Sequence, residues 1–315
     1  MLQLRENICR DRADDGHDTN PAQLRSVPTP AIEPAIDTTF QNVAFDDFTW
    51  MTVDAIPDRL NETYALRYNS YCLEKRFLDA ADYPAKIESD PFDANAIHLA
   101  VMHKKLDQMR ATARLVPMGR NPDGGNALPA FQYCDIANHV DWLIATGAEV
   151  AEISRVVMSR AAFARLDGAT DQKDDAIERG NPNERDRASR QGHSLAAILT
   201  LYKGIYQTCR RTGVSHLVAA MERSFWRLAR RFHFPFHQIG PEVDYFGPVV
   251  PFMLNLDELD HALFEHAPRI LAEFFRGLEL WALPTAGQVE DRSVARRIVE
   301  FFASSQASGG ARRTA

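Results

Sequence analysis

The chain lacks the features by which many proteins declare their class. No apolar run approaches the ~20 residues that span a bilayer. The polar N-terminus has no apolar core of the secretory type, so the expectation is a cytoplasmic protein with no membrane span. Cysteine is scarce. Cys9, Cys72, Cys134 and Cys209 stand far apart with no C-x-x-C spacing, which fits reduced thiols and not a disulfide frame or a zinc site. Positive charge is not in excess; the formal net charge of −7 argues against general binding to nucleic acid. A P-loop, a Rossmann glycine pattern, a G-x-S-x-G elbow and internal repeats are all missing. His233 and His237 have i, i+4 spacing, but Pro235 between them breaks the helix that would aim both rings, so no metal is expected.

What is present suffices for a large core: 315 residues, 45% hydrophobic and 25% charged. Residues 1–42 are polar, contain Pro21, Pro28, Pro30 and Pro34, and read as a flexible arm. A first strand falls around residues 43–53. From Pro57 the spacing of Leu60, Tyr64, Tyr68, Tyr71 and Cys72 predicts a helix, with Asp58 as a possible cap and Arg67 on or beside its apolar stripe. Taken alone, Arg67 is a packed stem with its head in water. Glu88-Ser89-Asp90-Pro91-Phe92-Asp93 reads by itself as a solvated turn. Residues 96–102 and 108–117 are two strands joined by the hairpin at residues 104–107. In the second, Arg110, Thr112, Arg114 and Val116 share one face, which alone would be a solvated sheet face. Residues 135–147 form a short helix ended by Gly147.

The stretch Val150–Met158 reads as a buried central strand that carries Glu152, Ser154 and Arg155 among apolar residues. Stripping water from an ion costs several kcal/mol, about as much as a fold can spare, so these groups need partners or a job. Residues 165–192 mix both signs of charge with Gly, Asn and Pro, and read as a polar insertion. After it come a helix from a Ser194 cap to Gly213, a strand at residues 216–221, a helix at 223–232, strand-like segments at 236–239 and 249–254, and an amphipathic stretch at 257–280 interrupted by Pro268. A last helix at 289–304 and a mobile tail complete residues 281–315. The order of elements predicts an α+β domain over residues 43–280.

The polar positions share an order: Arg67; Glu88-x-Asp90-x-x-Asp93; Ala113-Arg114-Leu115-Val116-Pro117; Glu152-x-Ser154-Arg155. This order resembles the acyl-homoserine-lactone (autoinducer) synthases and the related N-acyl amino acid synthases. With Met221-Glu222-Arg223, Phe234-Pro235-Phe236, Ile239-Gly240-Pro241 and Tyr245-Phe246-Gly247, the chain is similar to the PEP-CTERM/exosortase system-associated acyltransferases. The resemblance spans about residues 55–260. It implies a GNAT-like fold, a mixed, mainly antiparallel sheet flanked by helices, and transfer of a fatty acyl group from an acyl carrier protein thioester to the amine of an amino acid or similar acceptor. It also implies an ion-pair network of Arg67, Glu88, Asp90, Asp93 and Arg114, and matches Glu152 and Arg155 to the acid and arginine of the family's central strand. Two features depart from the pattern. The family's tryptophan after the first helix is missing, with Phe77 or Tyr83 as stand-ins. The pyrophosphate-gripping [RQ]-x-x-G-x-[GA] loop is also absent after the central strand, which favours a carrier protein over coenzyme A as donor.

Amide formation from a thioester needs a neutral amine, aligned reactants and a stabilised oxyanion. Glu152 is the expected base, with Ser154 and Arg155 beside it and backbone N–H groups at Val156 and Met158 for the oxyanion. No cofactor is expected to stay bound. Glu152 and Arg155 are three apart, so they reach one site only if the strand bulges; otherwise Arg155 pairs elsewhere, with Asp90 or Asp93. For docking an acidic carrier, the helix with Arg223, Arg227, Arg230 and Arg231 is the first choice, and Lys203, Arg210 and Arg211 the second. The alternatives are a homoserine-lactone synthase, or a non-catalytic acyl-binding or regulatory protein on the same frame.

Overall fold

The computed structural model describes residues 45–120, 126–159, 184–245 and 247–284, all within one compact unit, Asn42–Ala315. The expected N-terminal arm, the C-terminal helix and tail, and most of the polar insertion lie outside the described residues. The strands are β1 (Phe48–Thr52), β2 (Ile97–His103), β3 (Gln108–Pro117), β4 (Gly119–Arg120), β5 (Asn126–Ala127), β6 (Val150–Met158), β7 (His216–Met221), β8 (His237–Gln238), β9 (Val243–Asp244) and β10 (Pro248–Asn255). The α-helices are α1 (Pro57–Tyr68), α2 (Ala137–Ala145), α3 (Glu184–Thr212), α4 (Arg223–Arg231), α5 (Leu256–His266) and α6 (Pro268–Phe275). The main sheet runs β1-β2-β3-β6-β7-β10-β8, with β9 on β10. Only β6 and β7 are parallel, and α3 lies between them in the chain, as a parallel crossover requires.

Side chains of paired residues share a sheet face. Trp50, opposite Val101, meets Gly204 of α3 closely enough that a Cβ there would stand 2.9 Å from the indole. The next residue along, Ala100, clusters instead with Val53 and with Leu60 and Leu66 of α1. Thus α3 covers one face and α1 the other. This corrects the reading of β3 as half solvated: Thr112 and Arg114 are buried because α1 and the segment after it roof their face, while a register shift between Val101 and Met102 puts Met109 on that face in place of Arg110, which is buried as well.

Helix boundaries follow local chemistry. Pro57 starts α1 at N1, where its fixed φ suits the first turn; Asp58 lies in that turn and is not the cap. Gly147 and Gly213 take positive φ (85° and 79°) just past α2 and α3, as predicted for a left-handed stop. Ser194 is not a cap either: α3 begins ten residues earlier, at Glu184. Past Tyr68 the helix widens into a π-helical segment, Asn69–Glu74, whose last bond runs from Lys75 N–H to Ser70 C=O. Such segments are rare and cluster at functional sites.

Candidate active site

The acids after α1 are not a solvated turn. Glu88 is fully buried, Asp93 is buried, and Asp90 is partly so. Asp90 caps the 3₁₀ turn Pro91–Asn95 and accepts from Phe92 N–H, while Asp93 Oδ2 accepts from Asp90 N–H at 2.7 Å. This reciprocal cap fixes both carboxylates against β3. Arg67 then reaches them from α1. Its Nη1 and Nη2 donate to Asp93 Oδ1 and Oδ2 at 2.8 and 3.0 Å, and its Nε donates to Glu88. Arg114 Nη1 bonds Asp90 and Asp93, and its Nε donates to Ser154 Oγ at 3.2 Å. Arg155 Nη2 contacts Glu88 Oε1 and Asp90 Oδ2, both at 3.1 Å. Three arginines thus meet three acids. His98 extends the set, with Nδ1 2.7 Å from Asp54 and Nε2 3.0 Å from Asp93. Burial works to raise the Asp93 pKa, but the hydrogen bonds from His98 and Arg67 and the arginine charges hold it far below the carboxylate range.

The strand β6 bulges where the network meets it. Ser154 stands opposite Arg114 and Val157 opposite Thr112, so Arg155 and Val156 occupy the space that β3 fills with Ala113 alone. Arg155 takes φ 53°, a left-handed conformation worth about 1–3 kcal/mol of strain for a non-glycine residue. The extra residue shifts the alternation, so Glu152, Ser154 and Arg155 all line one cavity. Arg155 pairs with Glu88 and Asp90, not with Asp93.

That cavity, of about 440 Å³, lies where the sheet parts. β6 pairs with β7 only over Val150–Glu152. Beyond Glu152 the cavity is lined by β6 through Val156 and by Ala219, Ala220 and Met221 of β7. Phe225 and Leu228 of α4 and Phe236 add apolar wall; Tyr71, Lys75, Phe77, Glu222 and Tyr245 add polar and aromatic wall. Glu152 is 1% exposed. Its Oε2 accepts from Ala130 N–H at 2.7 Å, and among the described residues it makes no ion pair. Burial raises its pKa to about 7, against the pull of the Ala130 N–H and the Arg114 and Arg155 charges.

Glu152, Ser154, Arg155 and Val156 line the cavity, and Arg67, Glu88, Asp90, Asp93 and Arg114 pack beside Ser154 and Arg155 on the face of β6 that carries Glu152. Met158 does not belong to it: it sits opposite Ala111, beyond the bulge. Of the two possible stand-ins for the tryptophan, Phe77 lines the cavity, stacked on Tyr71, and Tyr83 does not. Arg223, Arg227, Arg230 and Arg231 are all exposed on α4; Arg223 pairs with Glu242 and Arg230 lies over Trp226. The second basic cluster does not stand. Lys203, Arg210 and Arg211 are bound to Glu273, Asp260 and Glu279, because α5, α6 and the segment after them bring acids to that flank of α3. Sequence reasoning missed Lys75, whose spacing of four from Tyr71 is the only hint of it. It also missed Ala130, whose role is a backbone one that no side chain advertises. Among the described residues no group of His, Cys, Asp and Glu could hold a metal, and no helix is long and apolar enough to cross a membrane.

Residues 66–164 match the family described as an acetyltransferase (GNAT) domain. No curated protein matches the chain. Similar solved structures include an N-acyl amino acid synthase from uncultured soil microbes, at 14% identity and a TM-score of 0.41, over 69% of this chain and 96% of that one. They also include a CoA-dependent acyl-homoserine lactone synthase solved with SAM and isopentyl-CoA, at 15% identity and 0.44, over 80% and 98%. A third is an N-acetyltransferase from Lactobacillus plantarum, named as putative in its description, at 15% identity and 0.37, over 67% and 99%. The fold is GNAT-like: an α+β domain whose mixed, mostly antiparallel sheet is flanked by helices.

Proposed function

We propose that the protein is an N-acyltransferase that moves a fatty acyl group from an acyl carrier protein thioester to the amine of an amino acid or similar acceptor. The observation that carries this reading is Glu152: a buried carboxyl with no ion-pair partner among the described residues, on a cavity whose wall has both apolar and polar side chains. With its pKa raised to about 7, Glu152 takes a proton from the acceptor ammonium, directly or through water. The neutral amine attacks the thioester carbonyl, the C–N bond forms, the C–S bond breaks, and the carrier's thiol leaves with a proton. Among the described residues β6 has no strand beside it on the β7 side past Glu152, so the backbone N–H of Val156 is our candidate for the oxyanion. No covalent acyl-enzyme is needed. Ser154 and Arg155 hold the reacting end in place through Arg114, Glu88 and Asp90.

The lack of a pyrophosphate loop favours a carrier protein as donor over coenzyme A, and the exposed arginines of α4, beside the cavity, form a face for an acidic partner. Met221, Glu222, Phe236 and Tyr245, from the motifs that resemble those of the exosortase-associated acyltransferases, line the cavity, which supports that branch. The alternative, a non-catalytic acyl-binding protein, is disfavoured because among the described residues Glu152 is not locked in an ion pair. Mass spectrometry of lipid extracts from cells expressing the protein is the test. A new N-acyl amine that vanishes with Glu152→Gln, in a variant that still folds, is expected. A homoserine lactone would favour the lactone synthase, and no product with any acyl carrier sinks the enzyme reading. The expected loss is about 10²–10⁴-fold in rate.

A further inference from the structure

Two cations face the cavity, and they are held differently. Arg155 is bound to Glu88 and Asp90 on the network side. Lys75 closes the π-helical segment, and its Nζ lies 5.2 Å from the Phe77 ring and 5.9 Å from the Tyr71 ring. Among the described residues its single ion pair is with Glu222 Oε1 at 3.5 Å, and both side chains are well exposed (37% and 50%). A long, exposed pair of this kind contributes little and is easily exchanged.

We infer that Lys75 binds the carboxylate of the acceptor, and that Glu222 occupies Lys75 until the acceptor arrives. This rests on the N-acyltransfer reading. An amino acid carries a positive pole and a negative pole a few ångströms apart. The cavity offers an acid for the first, at Glu152, and a weakly committed cation for the second, at Lys75. Tyr71 and Phe77, stacked at 6.4 Å beside Lys75, wall the space next to it. An acceptor carboxylate replaces a loose surface contact with a charge-assisted hydrogen bond, the stronger kind. An amine without a carboxylate leaves the Lys75–Glu222 pair closed and gains nothing from it. The phosphodiester of a pantetheine arm is the other anion in the reaction, but it lies at the far end of that arm from the thioester, whereas Lys75 lines the same cavity as Glu152.

The test measures steady-state transfer from acyl carrier protein to leucine, phenylalanine and serine, to their primary amides, and to the corresponding decarboxylated amines. Lys75→Ala should raise the acceptor KM about ten- to hundredfold for the free amino acids, leave the amides and amines nearly unchanged, and not move the donor KM. Lys75→Arg should restore most of the loss, and Glu222→Gln should lower the acceptor KM. A rise confined to the donor KM assigns Lys75 to the phosphodiester and overturns the inference; so does a wild-type enzyme that uses amides as well as acids. Calorimetric binding of the same amino acids without donor keeps the two readings apart. Binding lost in Lys75→Ala supports the inference even where no transfer is seen, and equal or absent binding overturns it.

Discussion

Two sets of buried charge lie against β6, and the fold treats them in opposite ways. Beside Ser154 and Arg155, Arg67, Arg114 and Arg155 meet Glu88, Asp90 and Asp93 in a network balanced three against three, in which Arg114 Nη2 is one nitrogen left without a partner. On the same face, two residues before Ser154, Glu152 has one backbone N–H and, among the described residues, no counter-charge in contact. Both sets are desolvated, yet Asp93 is driven far below the usual carboxylate range and Glu152 is lifted to about 7. Burial alone therefore does not decide what a carboxyl does; the partner does. A paired acid is locked in its charged form and holds structure together. A lone acid beside a cavity sits near the pH where it can both take and give a proton.

The strongest way to break this contrast is to remove one partner of the network. Arg67→Met leaves Glu88 and Asp93 short of a cation, and breaking a buried pair from one side costs about 3–5 kcal/mol. We expect a lower midpoint in a urea titration. A change under about 1 kcal/mol would show that the network is not structural. Next comes pH. Glu152 must be ionised to act, so transfer should fall about tenfold per unit below pH 7. Its pKa rises from 4.5 to about 7 on folding, so the folded state holds a proton that the unfolded chain has lost. Its contribution to stability is fully present below 4.5 and declines as pH rises through 7. Activity and the Glu152 contribution to stability should thus move in opposite directions across that window in pH-rate and denaturation profiles, and Glu152→Gln should flatten the stability slope without abolishing it, because burial also raises Asp260, to about 6. The smallest effect belongs to surface charge, neither paired in the core nor poised. Arg227→Glu should slow transfer about twofold or more at low salt, converge with wild type at high salt, and leave thermal stability unchanged. A salt-independent loss would remove α4 as the docking face.

Much of this was legible in the chain. Strand and helix positions followed period and punctuation closely, as at Val150–Met158, His216–Met221 and Gly213. The order of acids and arginines named the network's members before their contacts were known. Other features were not legible, for identifiable reasons. The 88–93 segment reads as a wet turn because three acids in six residues belong in water unless distant arginines arrive. Arg114 reads as a solvated face because alternation shows which residues share a side, not whether a helix covers it. Lys203, Arg210 and Arg211 read as a basic patch because Glu273, Asp260 and Glu279 lie about 50–70 residues away in the chain.

The sequence by itself determined the elements, the residue types at the site and the improbability of a lone acid on a buried strand, since these depend on local periodicity and on the cost of desolvating charge. Only the tertiary structure decided which charges are paired and which is free, because pairing needs α1, the 88–93 turn and two strands to converge. It also decided that β6 bulges at Arg155 and parts from β7 after Glu152. Those two backbone events place an ionisable group next to empty space, and both arise from how strands pair with each other, which no single strand encodes.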